Sequence, residues 1–325
     1  MRLGRSEGVL VRPLERSELD EADRITRLAF GTFLGMPDPM KFMGDADFVR
    51  TRFETNPEGA LAAEVNGRLV GSNFLLDWGS VGIFGPLTIH PDYWQKGIAQ
   101  ALLDRTLAIF EKWGTRHVGL FTFAQSSKHV HLYQKYGFWP RFLVAIMSKD
   151  LAAGDPGRLS GNSSVVMYSE LSDDEKMAST KMCAEMTNQL FSGLDLRREI
   201  AAVHKQELGD TLLLRSREGR VLAMAICHLG PGTEAGGGNC YVKFGAVSPV
   251  QESDTVFTDL IAACERFAKS RGINRLTAGA NTARHNSYKK MIELGFKTDM
   301  HGVAMDRPNE PAYNRPEVYA LDDWR

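Results

Sequence analysis

Two stretches of this chain share one spacing. The interval from Pro91 to the pair Gly137-Phe138 equals that from Pro249 to the pair Gly295-Phe296, and Gly114 corresponds to Gly272 without a gap. Between these anchors Ala99, Leu102, Leu103, Thr106 and Phe110 fall opposite Phe257, Leu260, Ile261, Cys264 and Ala268, so the inward faces of two helices coincide. Equal spacing with matching faces predicts a duplicated unit and restricts the chain to two copies of one architecture. The length of 325 residues agrees, because it exceeds what one hydrophobic core usually organises. Residues 151–164 are rich in Gly, Ser, Asp and Pro and have no periodic apolar face, which is linker chemistry. The expected boundaries are therefore 8–150 for the first domain, 151–164 for the linker and 165–325 for the second domain.

The first half reads as a mixed α/β order with an antiparallel start. Residues 8–13 form a short strand, and 17–30 a helix with Ser17 as cap and Asp20 and Glu21 in its first turn. Strands at 60–65 and 69–76 flank an Asn66-Gly67 hairpin turn. A strand at 81–89 ends at Pro91, a helix at 97–113 ends at Gly114, and a strand follows at 117–123. A helix at 126–136 ends at Gly137, and a strand at 141–149 closes the half.

Composition excludes several classes of function. Apolar residues make up 43% and charged residues 24%, as in ordinary globular proteins, and the formal net charge of −1 gives no case for nucleic acid or a membrane surface. Residues 1–10 lack the apolar core of a secretory signal, and the longest apolar run, 142–147, is too short to span a bilayer. Cys183, Cys227, Cys240 and Cys264 show no CxxC spacing, which fits a reduced cytoplasm. His129 and His131 lie two apart on a helix and point to different sides, so no metal site is expected there. Gly236-Gly237-Gly238 opens no apolar-periodic helix and is read as a flexible loop.

The segment 87–103 carries the most chemistry. A strand ends at Pro91, a short turn follows, and a helix begins near Gly97. Helix N-termini present unpaired N–H groups and partial positive charge, the environment a pyrophosphate requires. Gly97 has no Cβ to keep the backbone from the phosphates, Ala99 is small, and Gln95 and Lys96 can add donors. The stretch Trp94-Gln95-Lys96-Gly97-Ile98-Ala99 resembles the acetyl-CoA motif of the GNAT N-acetyltransferase superfamily, Gln/Arg-x-x-Gly-x-Gly/Ala, and departs from it only in having Trp94 at the first position. A second GNAT signature, Asn-x-x-Ala-x-x-Leu-Tyr-x-x-x-Gly-Phe, is matched at Leu132, Tyr133, Gly137 and Phe138, with Ser126 in place of Asn and His129 in place of Ala. The resemblance covers residues 9–150 and implies an α/β fold of two tandem GNAT-like domains, each a mixed, centrally splayed sheet flanked by helices. It also implies acetyl-CoA as co-substrate, held by Leu87, Thr88 and Ile89 along the pantetheine arm, by Gln95, Lys96, Gly97, Ile98, Ala99 and Gln100 at the phosphates, and by Ser126.

Acyl transfer to an amine has two proton problems. An alkylamine with pKa near about 10.4 is almost wholly protonated at pH 7 and is then no nucleophile. The departing thiolate also needs a proton, and a phenol near the sulfur can supply it. The resemblance gives that role to Tyr133 and gives oxyanion stabilisation to the backbone N–H near Ile89. A base is harder to assign. The strand at 117–123 contains no acid, leaving Asp77, His90, Asp92 or a water relay. The implied activity is N-acetylation of a primary amine on a small molecule or peptide. A non-catalytic acyl-CoA-binding regulator is the alternative. Residues 30–53, rich in aromatics and Met, are expected to line the acceptor pocket.

The second half has lost these features. Gly97 becomes Thr255, Ala99 becomes Phe257, Gln95 and Lys96 become Ser253 and Asp254, and Tyr133 becomes Met291. Phe257 and Asp254 would block and repel a pyrophosphate, so a structural or pocket-closing role is expected. A tandem chain with one degenerate half resembles mycothiol synthase-like enzymes. There the second half is the working one, so no substrate carries over. Residues 309–325 are too irregular to read.

Overall fold

The computed structural model describes residues 8–151, 157–161 and 163–325. The linker reading falls partly on 152–156 and 162, and the N-terminal reading on 1–7, which lie outside the described residues. The first half runs β1 (Val9–Pro13), α1 (Leu19–Phe33), α2 (Val49–Thr55), β2 (Ala60–Val65), β3 (Arg68–Trp78), β4 (Val81–Phe84), β5 (Thr88–Ile89), α3 (Ile98–Trp113), β6 (His117–Thr122), α4 (Ser127–Gln134) and β7 (Trp139–Asp150). The second half runs β8 (Ser164–Met167), α5 (Asp173–Leu190), α6 (Arg197–Lys205), β9 (Gly209–Arg215), β10 (Val221–Gly230), β11 (Gly236–Val247), α7 (Ser253–Ser270), β12 (Arg275–Asn281), α8 (His285–Glu293), β13 (Lys297–Arg307) and β14 (Ala320–Leu321). Among the described residues, no helix is long and apolar enough to cross a membrane.

Local sequence accounts for most of these elements. Val65 pairs with Arg68 across Asn66 and Gly67, both at positive φ, as a two-residue hairpin turn requires. Helix α3 begins after Gly97 at φ 78° and stops at Gly114 at φ 71°. Three readings differ. The first helix is preceded by a 3-10 turn, Arg16–Glu18, capped through Glu15 and Glu18 rather than Ser17. The strand expected over 81–89 breaks after Phe84 into β4 and β5. Gly236-Gly237-Gly238 starts β11 rather than forming a loop, because the Gly237 N–H donates to the Asp45 carboxylate at 2.7 Å and bare glycine lets Asp45 come that close.

The two halves are woven together. All fourteen strands among the described residues form one sheet, along the path β1-β2-β3-β4-β6-β13-β7-β12-β11-β10-β9-β8, with β5 on β3 and β14 on β11. The strand that follows the last helix of each half, β7 or β13, is exchanged. Strand β13 lies between β6 and β7, pairing Val303 with Thr122 and with Leu143. Strand β7 in turn lies between β13 and β12, pairing Ala145 with His301 and with Ala280. One core cluster accordingly mixes Trp78, Val81 and Ile83 with Leu194, Phe244 and Trp324.

Neither half can complete its sheet without the other's closing strand, so the chain should unfold in one cooperative transition. Calorimetry that resolved two transitions, each matching a separately expressed fragment 8–150 or 165–325, would contradict this.

Candidate active site

The sheet opens where β4 gives way to β5. Strand β4 runs parallel to β6 only from Val81 to Ile83, opposite His117 to Gly119, whereas β5 stays on β3 with Thr88 opposite Ser72 and Ile89 opposite Gly71. Between β5 and β6 lies a largely apolar cavity of about 530 Å³. Leu87, Thr88 and Ile89 form one side of it, Ser126 at the start of α4 with His129 and Tyr133 of α4 the other, and Thr26, Ala29, Phe30 and Phe33 of α1 lie across it.

One end of the cavity is the loop into α3. Gln95 and Gly97 both have positive φ, at 64° and 78°. The amides of Lys96, Gly97, Ile98, Ala99 and Gln100 find no acceptor among the described residues. Unpaired amides at the start of a long helix offer the donors and partial positive charge that an anion would need. Gln95, Gly97, Ile98, Ala99 and Gln100 line the cavity. Lys96 does not; its ammonium donates to the Asp92 carbonyl at 2.8 Å and sits over the Tyr93 ring. Trp94, at the position where the motif has Gln or Arg, donates its indole N–H to the Ile89 carbonyl at 2.7 Å. That bond ties the loop to the diverging strand.

Tyr133 is buried against Phe84 and Phe138, with ring centres 6.0 and 6.3 Å away. Its hydroxyl has no hydrogen-bond partner among the described residues, and the residue lines the cavity. Burial raises the phenol well above its ordinary pKa, so it is held protonated. One turn earlier, His129 lies 5.0 Å from the Phe33 ring; burial, with the neighbouring Lys128, lowers its pKa. None of the three candidate bases lines the cavity. Asp77 pairs with Arg198 at 3.2 Å, His90 accepts from the Asp92 amide, and Asp92 is exposed. No carboxylate side chain lines the cavity among the described residues.

The far end is aromatic. Phe30, Phe33, Phe42, Phe48 and Met43 line it with Phe121 of β6 and Phe123 just beyond, and Phe30 and Phe33 pack on Phe123. The segment that carries Phe42 is pinned from two directions. Arg27 donates to the carbonyls of Phe42, Gly44 and Ala46 at 2.6–2.9 Å, and Gly232 and Gly237 of the second half bond Asp45. Three lining residues come from the second half, which the sequence reading had not placed at the site. Met300 arrives on the exchanged strand β13, and Trp324 and Arg325 arrive on the tail. No local signal marks them, because each is brought there by long-range pairing.

The tail also accounts for the second half. Strand β14 adds to β11, with Leu321 opposite Gly245, and the Asp322 amide bonds the Gly279 carbonyl of β12. It therefore fills the gap that stays open in the first half. A Cβ at Gly279 would overlap Asp323, and one at Gly119 would overlap Trp324, so two bare positions let the tail lie flat on the sheet. Arg284 clamps it by pairing with the Asp322 carboxylate at 2.7 Å. Phe257 is buried 5.2 Å from the Tyr319 ring, Asp254 pairs with Lys290 at 2.9 Å, and Met291 is fully buried.

A buried charge cluster joins the halves beside the cavity. Arg52 pairs with Glu234 at 3.0 Å, Lys243 reaches Glu234 at 2.8 Å and Glu199 at 3.2 Å, and the Trp78 indole donates to Glu199 at 2.9 Å. Arg52 also donates to the carbonyls of Gly85, just before β5, and of Arg325. Burial would raise Glu234, but the charges of Arg52 and Lys243 outweigh it and hold the carboxyl below its ordinary value.

Residues 24–138 match the model of the Acetyltransferase (GNAT) family. No curated protein matches the sequence. Solved structures share the whole fold. A protein from Pyrococcus horikoshii described as a candidate acetyltransferase aligns over 100% of this chain and 98% of its own, at TM-score 0.68 and 13% identity. A GCN5-related N-acetyltransferase from Sphaerobacter thermophilus aligns over 93% and 96%, at 0.57 and 11%. A tandem GNAT protein from the clavulanic acid biosynthesis pathway aligns over 92% and 98%, at 0.59 and 13%.

Removing Glu234 leaves Arg52 and Lys243 buried without their shared anion. Glu234→Ala should therefore lower stability by about 3–5 kcal/mol, read from the urea midpoint and slope. A loss below about 1 kcal/mol would show that the cluster is solvated.

Proposed function

We propose that this chain, whose residues 24–138 match the GNAT acetyltransferase family model, transfers an acyl group from acetyl-CoA to a primary amine. One observation carries the reading: the opened strand β5, the loop of unpaired amides and the Tyr133 hydroxyl all border one cavity. The residues fit the co-substrate. The amides from Lys96 to Gln100 would hold the pyrophosphate, with Gln95 beside them. Leu87, Thr88, Ile89 and Ser126 would flank the pantetheine arm, which would lie in the gap between β5 and β6.

In this reading the amine nitrogen attacks the thioester carbonyl carbon, the C–N bond forms and the C–S bond breaks. Backbone N–H near Ile89 stabilises the oxyanion. Tyr133 gives its proton to the departing thiolate and regains one from water, while the amine's proton leaves to water. The high pKa of Tyr133 suits a donor that must keep its proton until charge develops on sulfur. We assign the co-substrate to residues 8–150 and the completion of the acceptor wall to residues 165–325. Four buried free thiols favour a reducing, cytoplasmic setting.

The absence of a lining carboxylate among the described residues favours a second reading, an acyl-CoA-binding regulator. Thiol release separates the two, since an enzyme liberates CoA with some amine and a regulator does not.

Acetyl-CoA should bind once per chain, because β14 and Phe257 fill the second gap. Calorimetry giving two equivalent sites would refute this. Tyr133→Phe should keep acetyl-CoA affinity and lose about 10²–10⁴-fold in turnover, the usual size of a general-acid contribution. The assay needs an acceptor for which chemistry limits the rate. A fully active Phe variant would remove Tyr133 from the mechanism.

A further inference from the structure

The acceptor end of the cavity has a chemistry of its own. Phe30 and Phe42 are stacked, with ring centres 5.2 Å apart and planes 22° apart, and Phe33 and Phe123 lie 5.4 Å apart. Phe121 stands 6.4 Å from Phe123, and the buried Trp324 closes the side nearest β6. The charged and titratable residues around the whole cavity are Tyr93 ahead of α3, Lys128, His129, His131, Tyr133 and Lys135 on or beside α4, and Arg325 of the tail. Those on α4 belong to the wall opposite β5. The Arg325 guanidinium is turned away, paired with Asp323 at 3.0 Å and stacked over Tyr241.

These facts discriminate between classes of amine. A polyamine, an amino sugar or a lysine side chain in a polar peptide brings hydroxyl, amide or ammonium groups that need partners when desolvated. The ring-lined end offers no side-chain carboxylate and few acceptors. A flat apolar ring loses no hydrogen bond on entering and gains burial and edge or face contacts with the phenylalanines. The pocket is also built in advance. Arg27 and the second half hold the Phe42 segment in place, so the rings need not collapse to receive a ligand.

We propose that the acceptor is a small primary amine carrying an aromatic ring on a short stem, with the ring among Phe30, Phe42 and Phe123 and the amine directed toward Tyr133. This rests on the acyl-transfer reading for its chemistry, but the ring site can be tested without turnover.

The test pairs 2-phenylethylamine with ethanolamine, two primary amines that carry a phenyl ring and a hydroxyl on the same two-carbon stem, and adds spermidine and glucosamine as polar acceptors. With the whole chain and acetyl-CoA, thiol release should give a kcat/KM for 2-phenylethylamine about 10- to 100-fold above that for ethanolamine, the value of burying one ring. Polar amines acetylated as fast as the ring amine would overturn the proposal and leave the acyl-transfer reading standing. Binding of 2-phenylethylamine is measured separately by calorimetry with CoA present. Binding without thiol release from any amine would uphold the ring site and remove the acyl-transfer reading. No binding and no preference would overturn the ring site. Phe123→Ala should reduce the ring preference at least about fivefold, with calorimetry of acetyl-CoA reporting that the variant is folded. An unchanged preference in that folded variant would also overturn it.

Discussion

The structure depends on the exchange of the two closing strands. With β13 between β6 and β7, and β7 between β13 and β12, each half supplies the strand that satisfies the other's backbone donors and acceptors. The sheet therefore continues through the middle of the molecule instead of ending twice, and two exposed edges are abolished. The mixed core follows from this continuity, as does the arrival of Met300 at a cavity built otherwise from the first half. So does the buried cluster of Arg52, Glu199, Glu234 and Lys243, since charges can be desolvated across a boundary only where that boundary does not open.

Within this frame the two halves diverge through a few local choices. In the first, β5 leaves β6, Gly97 starts a helix with bare amides, and Trp94 locks the loop to the strand that has swung away. In the second, β11 keeps its course for twelve residues, Phe257 occupies the space above the helix start, and β14 lies in the gap. A splayed sheet exposes backbone groups and apolar walls. The second half covers them with its own tail, whereas the first leaves them facing the cavity.

The parts legible in the sequence were those set by neighbours in the chain. Asn66-Gly67 encodes its turn through positive φ, Gly97 and Gly114 bound α3 for the same reason, and the spacing from Pro91 to Gly137 carried the duplication. The exchange of β7 and β13 left no such mark, because an exchanged strand has the same alternating pattern as one that folds back at home. Residues 309–325 looked irregular because the contacts that order them lie far away, at Gly119, Gly279 and Arg284. The role of Trp94 was hidden because a motif records residue types at the phosphate site, and this side chain bonds the neighbouring strand. The triple glycine misled in the opposite direction: it signals freedom locally, but here Asp45 consumes it. Burial and cavity lining for Tyr133 and Ser126 could be read only once α4 had been placed.

The tail keeps the second gap closed whatever side chains stand at the start of α7. Restoring glycine at Thr255 and a small side chain at Phe257 would not reopen the gap, because Leu321 and Asp322 occupy it. Releasing them would withdraw Trp324 from Gly119 and Arg325 from Arg52, dismantling the wall of the first cavity. A lineage that adopts this arrangement trades a second open gap for a fixed wall, and every later change in the shape of the first cavity must be made within that geometry. Substitutions at Arg284 or Asp322, remote from the cavity in sequence and on the other half of the sheet, thereby become heritable adjustments of the first half's pocket.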